Sequence, residues 1–154
     1  MTALPSSVHV SKHPCLMAKL SQLRSKSTSS RETQQLVHDI SMILGMEALA
    51  SLDLTEGGTS QSTTDATTAI IVDPVIATGG TAIAAIQTLR EWGVKKVIVI
   101  NVITAAEGLT RAAEEWAEGT EFWVGAVDAE LTGSGMIKPG VGDIGDRLYG
   151  TIGK

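Results

Sequence analysis

Between residues 69 and 127 the chain alternates short apolar segments with amphipathic ones, and this alternation restricts the fold more than any other feature of the sequence. Three segments have the length and apolar content of strands, at residues 69–72, 97–103 and 121–127. The two segments between them, residues 82–92 and 107–118, have helical character, and a glycine follows each. Strands and helices in this order connect through right-handed crossovers and form a parallel sheet. The predicted fold class is therefore α/β, with a parallel sheet flanked by helices.

The interior of this sheet can be located from the most apolar strand. Residues 97–103 are apolar at every position except Asn101. A strand that is apolar on both faces is typical of the centre of a parallel sheet, because helices cover such a sheet on both sides. The three tryptophans, Trp92, Trp116 and Trp123, lie in or near predicted elements, and we expect them to pack against this core.

The amino-terminal half contains one strong helix and one unusual segment. Ser29 and Glu32 have the spacing of a capping box, and apolar residues at helical spacing predict a helix over residues 31–50. Residues 1–30 look irregular or only briefly helical. Residues 55–68 consist of Gly, Ser, Thr, Gln and acids with a single alanine, which predicts a flexible linker. A length of 154 residues suits one domain, so we expect a single domain over the whole chain with this linker inside it.

The charge distribution argues against several kinds of partner. Residues 1–31 carry five cations and no acid, whereas the rest of the chain carries seven cations and all 17 acids. The net charge of −5 argues against a nucleic-acid partner, which requires a basic surface. No apolar run approaches the roughly 18 residues of a membrane span, so no membrane partner is expected. An acid-free, serine-rich amino end can be an organelle transit peptide; the alternative, which we favour, is a cytoplasmic protein.

Cysteine and histidine usage argues against disulfides and metal ligation. The only cysteine, Cys15, cannot form an intramolecular disulfide, and we expect its side chain to be partly buried. His9, His13 and His38 do not have the spacing of metal ligands with it. No metal site held by the protein alone is predicted.

The string IIVDPVIATGGT at residues 70–81 joins a predicted strand to a predicted helix. Ligands of open α/β sheets bind at the carboxyl ends of strands, and the free N–H groups of a helix amino terminus favour a phosphate. Gly79 and Gly80 would let the backbone approach that phosphate, and Asp73 is placed to accept hydrogen bonds from sugar hydroxyls. Two glycines alone would equally suit a tight turn. The spacing fits neither the Walker A motif nor the dinucleotide fingerprint. We call residues 73–81 the phosphate loop.

A second glycine-rich string, GMIKPGVGDIGDRLY, occupies residues 135–149. Its composition alone suits a surface turn in which Asp146 and Arg147 form a cap. Loops of this composition also let the backbone approach a ligand closely, so composition leaves both interpretations open.

Read in full, the two strings resemble the uracil phosphoribosyltransferases, a branch of the type I phosphoribosyltransferases. Asp-Pro followed by Ala-Thr-Gly-Gly-Thr is similar to their signature for 5-phosphoribosyl 1-diphosphate (PRPP). Pro-Gly-x-Gly-Asp-x-Gly-Asp-Arg is similar to their uracil-binding end, and we call residues 135–149 the base loop. The resemblance extends over about residues 8–53 and 69–151. It implies a truncated type I phosphoribosyltransferase-like sheet and a step of pyrimidine salvage, uracil + PRPP → UMP + diphosphate.

The resemblance also implies site residues and ligands. It assigns PRPP binding to Asp73, Pro74, Val75, Ile76, Ala77, Thr78, Gly79, Gly80, Thr81 and Asp143. It assigns uracil binding to Ile137, Gly142, Asp143 and Ile144. Asp73 and Asp143 are the expected catalytic residues. The expected ligands and partners are Mg²⁺ bound with PRPP, GTP as an activator and further copies of the chain in a homo-oligomer. A loop that hydrogen-bonds the edge of uracil should reject cytosine, whose edge differs.

One part of the resembled family has no counterpart in this sequence. Ahead of the Asp73 strand, family members carry a long central segment with further strands, a dimerisation arm, a mobile loop and arginines that grip the diphosphate. Here only residues 55–68 occupy that place, and no Arg or Lys occurs between Arg31 and Arg90. Cationic groups and Mg²⁺ stabilise a departing diphosphate. Three hypotheses therefore stay open: an enzyme of impaired activity, a non-catalytic relative that binds PRPP or a nucleotide, and a vestigial product of a damaged gene or wrong gene model.

Overall fold

The computed structural model describes residues 4–52 and 67–151, and within them four parallel strands form one sheet in the order β1-β4-β3-β2. The strands of this sheet are β1 (Val8–Val10), β2 (Thr68–Ile76), β3 (Lys96–Ala105) and β4 (Thr120–Asp128). The helices are α1 (Pro14–Leu23), α2 (Ser30–Ala50), α3 (Gly80–Glu91), α4 (Ala106–Glu115) and α5 (Ile144–Tyr149). A separate antiparallel hairpin pairs β5 (Glu130–Leu131) with β6 (Ile137–Lys138). The predicted α/β class, with a parallel sheet flanked by helices, is confirmed.

Strand β3 runs through the interior of the sheet and is buried along nearly its whole length, as its apolar sequence predicts. Ile98 and Ile100 pack in one cluster with the buried leucines of α1 and α2. Val97 and Val99 pack in a second cluster with α3 and α4. Alternate side chains of one strand therefore enter two cores on opposite faces of the sheet. The neighbouring β2 pairs with this central strand up to Ile76, which is within the phosphate loop.

The amino-terminal segment is more regular than predicted. Residues of β1 pair in parallel with β4, and α1 begins at Pro14, directly after its N-cap His13. The prediction of irregular or only briefly helical chain missed β1, because a three-residue strand carries almost no local pattern and its pairing depends on a distant strand. The brief helicity it allowed is present as the ten residues of α1. The helix α2 confirms the prediction for residues 31–50. Its capping box is formed, with Ser29 Oγ accepting from the Glu32 N–H at 3.3 Å and Glu32 Oε2 accepting from the Ser29 N–H at 2.9 Å.

Strand β2 is longer than predicted. It begins at Thr68, inside the segment interpreted as a linker, and continues past residue 72 to Ile76, with Val75 paired to Ile103. Pro74 lies within it. A proline is tolerated there because, among the described residues, β2 is at the edge of the sheet and the missing N–H breaks little pairing. Most of the predicted linker lies outside the described residues.

Two predictions about side-chain burial were wrong. Trp92 ends α3 and is 76% exposed, whereas Trp116 and Trp123 are partly buried against the two clusters, as expected. Cys15 is exposed, because the buried face of α1 is formed by its leucines. In the described part of the chain, none of the helices combines the length and the apolar character needed to cross a membrane.

Candidate functional site

The connection from β2 to α3 surrounds a cavity of about 140 Å³ at the carboxyl end of the sheet. Its lining consists of Asp73 and all residues from Val75 to Ala82. The fold therefore brings the residues of the phosphate loop together around one space. Pro74 is in β2 but does not line the cavity, and Asp143 belongs to the base loop.

The turn into α3 requires glycine at position 79. Gly79 is the N-cap of α3 and has a φ of +84°, in the left-handed region that favours glycine. A β-carbon on Gly79 would collide with the carbonyl oxygen of Gly108 in α4, and one on Gly108 would collide with the carbonyl oxygen of Ala77. The backbone of the phosphate loop thus packs directly against the first turn of α4, and this contact restricts the position of the loop.

The amino terminus of α3 has the properties of an anion site. Gly79 offers no side chain to cap the helix, so the first-turn N–H groups keep no side-chain partner there. Gly80 and Thr81 line the cavity and are exposed, as is Thr78 before them. The helix dipole adds partial positive charge at this end. Together with the cavity, this arrangement suits a phosphate group.

Asp73 is oriented by its own strand and by β3. Its Oδ1 accepts a hydrogen bond from the N–H of Val75 at 3.2 Å, and its carbonyl oxygen accepts one from Nδ2 of Asn101 at 2.7 Å. Asn101 is 1% exposed, and its Oδ1 has no hydrogen-bond partner within the described residues. The sequence signalled this residue as the one polar side chain in an apolar strand, although it did not predict the contact with Asp73.

A cation that the sequence analysis missed lies against the phosphate loop. Nη1 of Arg111, in α4, donates a hydrogen bond to the carbonyl oxygen of Thr78 at 3.0 Å. The guanidinium is exposed and therefore keeps donors free for another acceptor. The sequence carried no local signal for this contact, because Arg111 and Thr78 are 33 positions apart.

The base loop begins in the β5–β6 hairpin and ends in α5. Ile137 is 9% exposed and packs into the cluster beneath α1 and α2. Gly142 has a φ of +77°. Ile144 is the first residue of α5 and is half-buried. Asp143 is the N-cap of α5, and its Oδ1 accepts from the N–H of Asp146 at 3.1 Å. The alternative of a cap formed by Asp146 and Arg147 was wrong, because the carboxylate that satisfies the helix amino terminus is that of Asp143.

Arg147 anchors the base loop instead of capping a helix. Its guanidinium donates to the carbonyl oxygens of Leu23, of Ser25 at 2.9 Å and of Val141 at 3.1 Å. Burial lowers the pKa of Arg147, but a guanidinium stays protonated at neutral pH. The side chain therefore ties the loop to the end of α1 and to the residues that follow it.

An ion pair fixes the other end of the base loop. Asp128, which is 7% exposed at the end of β4, accepts hydrogen bonds from Arg24 and, at 2.8 Å, from the N–H of Gly140. Arg24 donates in addition to the carbonyl oxygen of Gly140 at 3.0 Å. Burial alone would raise the pKa of the Asp128 carboxyl, but the hydrogen bonds from Arg24 and Gly140 outweigh it and hold that pKa below its ordinary value.

The two loops lie side by side. A side chain on Gly135 would lie in van der Waals contact with Thr78, 3.8 Å from its Cγ2 atom. Val75 and Ala77 of the phosphate loop pack against the same cluster as Ile144 of the base loop. Residues more than fifty positions apart in the chain thus form one continuous surface at the carboxyl end of the sheet.

The sequence comparisons point to one family. The model of the family described as uracil phosphoribosyltransferase matches the chain in two stretches, residues 10–69 and 61–151. The protein urg2 of Schizosaccharomyces pombe, provisionally named a uracil phosphoribosyltransferase, is 55% identical over 83 residues, which are 54% of this chain and 40% of that protein. The uracil phosphoribosyltransferase of Campylobacter fetus is 46% identical over 84 residues, with the same two shares. The matched stretch therefore spans 40% of the length of these relatives.

A solved structure has the same fold over nearly the whole chain. The AQ2163 protein from Aquifex aeolicus superposes with a TM-score of 0.80 at 25% sequence identity. The superposition covers 92% of this chain and 97% of that one.

Proposed function

This chain belongs to the uracil phosphoribosyltransferase family, and we propose that it transfers the phosphoribosyl group of PRPP to N1 of uracil, which forms UMP and releases diphosphate. The observation that carries the proposal is the proximity of the base loop to the phosphate loop, since a β-carbon on Gly135 would lie 3.8 Å from Cγ2 of Thr78. Such a transfer requires the base nitrogen and the ribose carbon to approach within about 3–3.5 Å, so the two binding loops must be neighbours.

The phosphate loop supplies groups for the ribose 5-phosphate part of PRPP. The amino terminus of α3 and the hydroxyls of Thr78 and Thr81 would bind the 5′-phosphate, because these donors surround one cavity. Asp73 would accept hydrogen bonds from the ribose hydroxyls and, as a carboxylate near C1, would stabilise positive charge that develops on the sugar. Its bonds to Val75 and Asn101 support a fixed orientation.

The base loop supplies groups for uracil. Backbone N–H and carbonyl groups around Gly142 and Ile144 would read the donors and acceptors of the base, and Ile137 would support the loop from below. The Asp143 carboxylate uses Oδ1 in capping α5, which leaves Oδ2 for a ligand. The loop is expected to reject cytosine, because the edge of bound cytosine would cover polar groups of the loop without giving them hydrogen-bond partners.

Mg²⁺ would enter this site with PRPP. A magnesium ion in phosphate sites is commonly held by one or two carboxylates together with the substrate's phosphates, and Asp73 is a carboxylate in the cavity lining. A single carboxylate suits an ion whose remaining ligands are phosphate oxygens of the substrate and water. When bound, the ion would neutralise charge on the diphosphate.

A second candidate function is binding of PRPP or a nucleotide without turnover. It is favoured by the absence of Arg and Lys between Arg31 and Arg90, in the part of the sequence that precedes the phosphate loop. Each missing donor to a developing charge lowers the rate by roughly 10²–10³. Arg111 is a cation beside the loop that would offset part of this loss.

The test is formation of UMP from uracil, PRPP and Mg²⁺ by protein shown to be folded by circular dichroism. We expect UMP from the wild type and none from Asp73→Ala, while Trp92→Ala, at an exposed position at the end of α3, retains activity. A folded protein that binds PRPP in calorimetry but forms no UMP would support the second candidate. If the folded protein neither binds PRPP nor forms UMP, both candidate functions are contradicted. The hypothesis of a vestigial product then remains. Added GTP and a cytosine control test the activation and base selectivity proposed from the family.

A further inference from the structure

Another cavity, of about 540 Å³, lies at the carboxyl end of the sheet, between the start of α4 and the end of β4. The apolar part of its lining is formed by Leu4, Ala106, Val127 and Ala129. This lining shares no residue with that of the cavity in the phosphate loop. Sites for small molecules typically have volumes of about 300–1,000 Å³, so this space is large enough for a ligand of its own.

The charged groups of this cavity come from one helix. Glu107 and Arg111 both line it, both are exposed, and they are four positions apart in α4. Side chains at this spacing lie on one face of a helix and can pair with each other. Among residues 4–52 and 67–151, however, neither of them takes part in an ion pair. A carboxylate and a guanidinium therefore line the same space, and each can pair with a charged group of a ligand.

Hydrogen-bonding capacity remains in the same lining. The bond from Nη1 of Arg111 to the carbonyl oxygen of Thr78, at 3.0 Å, uses one of the several N–H groups of the guanidinium. Thr110 lines the cavity as well, and its Oγ1 donates to the carbonyl oxygen of Ala106 at 2.8 Å. Because that hydroxyl spends its hydrogen on the helix, its lone pairs can accept from a ligand. The lining thus offers donors at Arg111 and acceptors at Glu107 and Thr110.

We propose that this cavity binds a free α-amino acid with an apolar side chain, such as leucine or phenylalanine. The ligand carboxylate pairs with Arg111, and the ammonium group binds Glu107 and the hydroxyl of Thr110. The ligand side chain covers the apolar part of the lining. One cation and one acid beside an apolar surface match a zwitterion. A plain carboxylate would be repelled by Glu107, and a plain amine would be repelled by Arg111.

Occupancy of this cavity should weaken PRPP binding, a consequence that rests on the proposed function. Arg111 links the two cavities, because it lines one and donates to the carbonyl oxygen of Thr78, which lines the other. A ligand carboxylate on Arg111 neutralises positive charge beside the site proposed for the 5′-phosphate. The Kd for PRPP should therefore rise with amino acid concentration, by no more than removal of Arg111 raises it. By linkage, PRPP should weaken amino acid binding by the same factor.

Titration of the full chain with L-leucine, followed by ligand-detected NMR in the absence of PRPP, tests the proposal. We expect a Kd of about 1 mM, which is ordinary for a ligand with so few non-hydrogen atoms. Three analogues each remove one part of the ligand: isocaproate lacks the amino group, isoamylamine lacks the carboxylate, and L-alanine lacks the larger apolar side chain. Each should bind at least about fivefold more weakly than leucine.

Substitutions in α4 locate the site. Glu107→Gln and Arg111→Ala should each weaken leucine binding at least about fivefold. Glu114→Gln is the matched control, because it neutralises an exposed acid of the same helix outside the lining, and it should bind leucine like the wild type. Ala129→Phe, at an exposed position of the lining, should fill the cavity and also weaken binding, and it serves as a second test if a variant in α4 is unfolded by circular dichroism.

Several results would overturn the proposal. They are the absence of leucine binding up to about 30 mM, binding that the folded variants of the lining leave unchanged, and an affinity for any of the three analogues equal to that for leucine. If PRPP binds but saturating leucine leaves its Kd unchanged, the link through Arg111 is refuted. Failure to bind PRPP or to form UMP contradicts only the proposed function, because leucine binding is measured without PRPP.

Discussion

Both terminal nitrogens of the Arg24 guanidinium donate to the carboxylate of Asp128, at 2.6 and 2.7 Å, and this pair joins the end of α1 to the end of β4. Asp128 also accepts from the N–H of Gly140, so the same carboxylate holds the base loop. A carboxylate in this position links the amino-terminal helix, the central sheet and the candidate site.

Asp128→Asn should therefore destabilise the whole protein. We expect a loss of about 2 kcal/mol in the free energy of unfolding at pH 7, below the range for a fully buried pair because Arg24 is 26% exposed. Urea unfolding measures this loss. Glu130→Gln is the control, because it breaks an ion pair in which the side chains of Glu130 and Lys138 are 64% and 66% exposed. It should change the free energy of unfolding by less than about 0.5 kcal/mol. Equal effects of the two substitutions would contradict the anchoring role.

The same carboxylate predicts a dependence of stability on pH. Because the folded-state pKa of Asp128 is depressed, its stabilisation is fully present above the unfolded value of about 3.9 and is lost as pH falls through the lower folded value. The difference in unfolding free energy between wild type and Asp128→Asn should therefore become smaller as the pH is lowered from about 6 to about 2. Thermal unfolding across this range measures it, and a constant difference would refute the assignment.

Gly79→Ala should disable the phosphate loop. The substitution forces a left-handed φ of +84° on alanine and drives its β-carbon into the carbonyl oxygen of Gly108. We expect a loss of about 1–3 kcal/mol in stability and of PRPP binding by calorimetry. Gly45→Ala is the matched control, because a β-carbon at Gly45 in α2 meets no atom within 4 Å. It should stabilise the protein by about 0.5–1 kcal/mol and leave PRPP affinity unchanged.

Arg111→Ala should weaken PRPP binding without destabilising the fold. The guanidinium is exposed and contacts the phosphate loop through the carbonyl oxygen of Thr78. We expect the Kd for PRPP to rise about tenfold, which corresponds to one charge-assisted hydrogen bond. Arg90→Ala removes the same charge from the end of α3, where the side chain lies over Trp116, and should leave the Kd within about twofold. An equal loss in both variants would show that only net charge matters.

Two substitutions of Asp143 separate its roles. Asp143→Asn keeps a side-chain oxygen that can cap α5, whereas Asp143→Ala removes it and should lower stability by about 1 kcal/mol. If the carboxylate also acts on the substrates, both variants should lose UMP formation while only Asp143→Ala loses stability. Full activity in Asp143→Asn would reduce this residue to a structural cap.

Local sequence pattern was sufficient for much of the fold. The alternation of apolar segments predicted the parallel sheet and the buried β3. This was possible because side-chain periodicity over a few residues indicates whether a strand is buried on one face or on both. The Ser29–Glu32 capping box was equally readable, because both partners lie within one helical turn. The two glycine-rich strings located the candidate loops for the same reason: each is continuous in the chain.

Tertiary structure decided what joins these pieces. Sequence pattern did not show that β1 would pair with β4, that β2 would continue through Pro74, or that Trp92 and Cys15 would face solvent. The contact of Arg24 with Asp128 joins residues 104 positions apart, and that of Arg111 with Thr78 joins residues 33 apart. Such contacts depend on the path of the backbone between the partners, which no local periodicity encodes. The sequence alone therefore determined the strands and helices from α2 to β4, apart from the ends of β2, and located the two glycine-rich strings. Only packing of the folded chain decided which side chains hold these parts together.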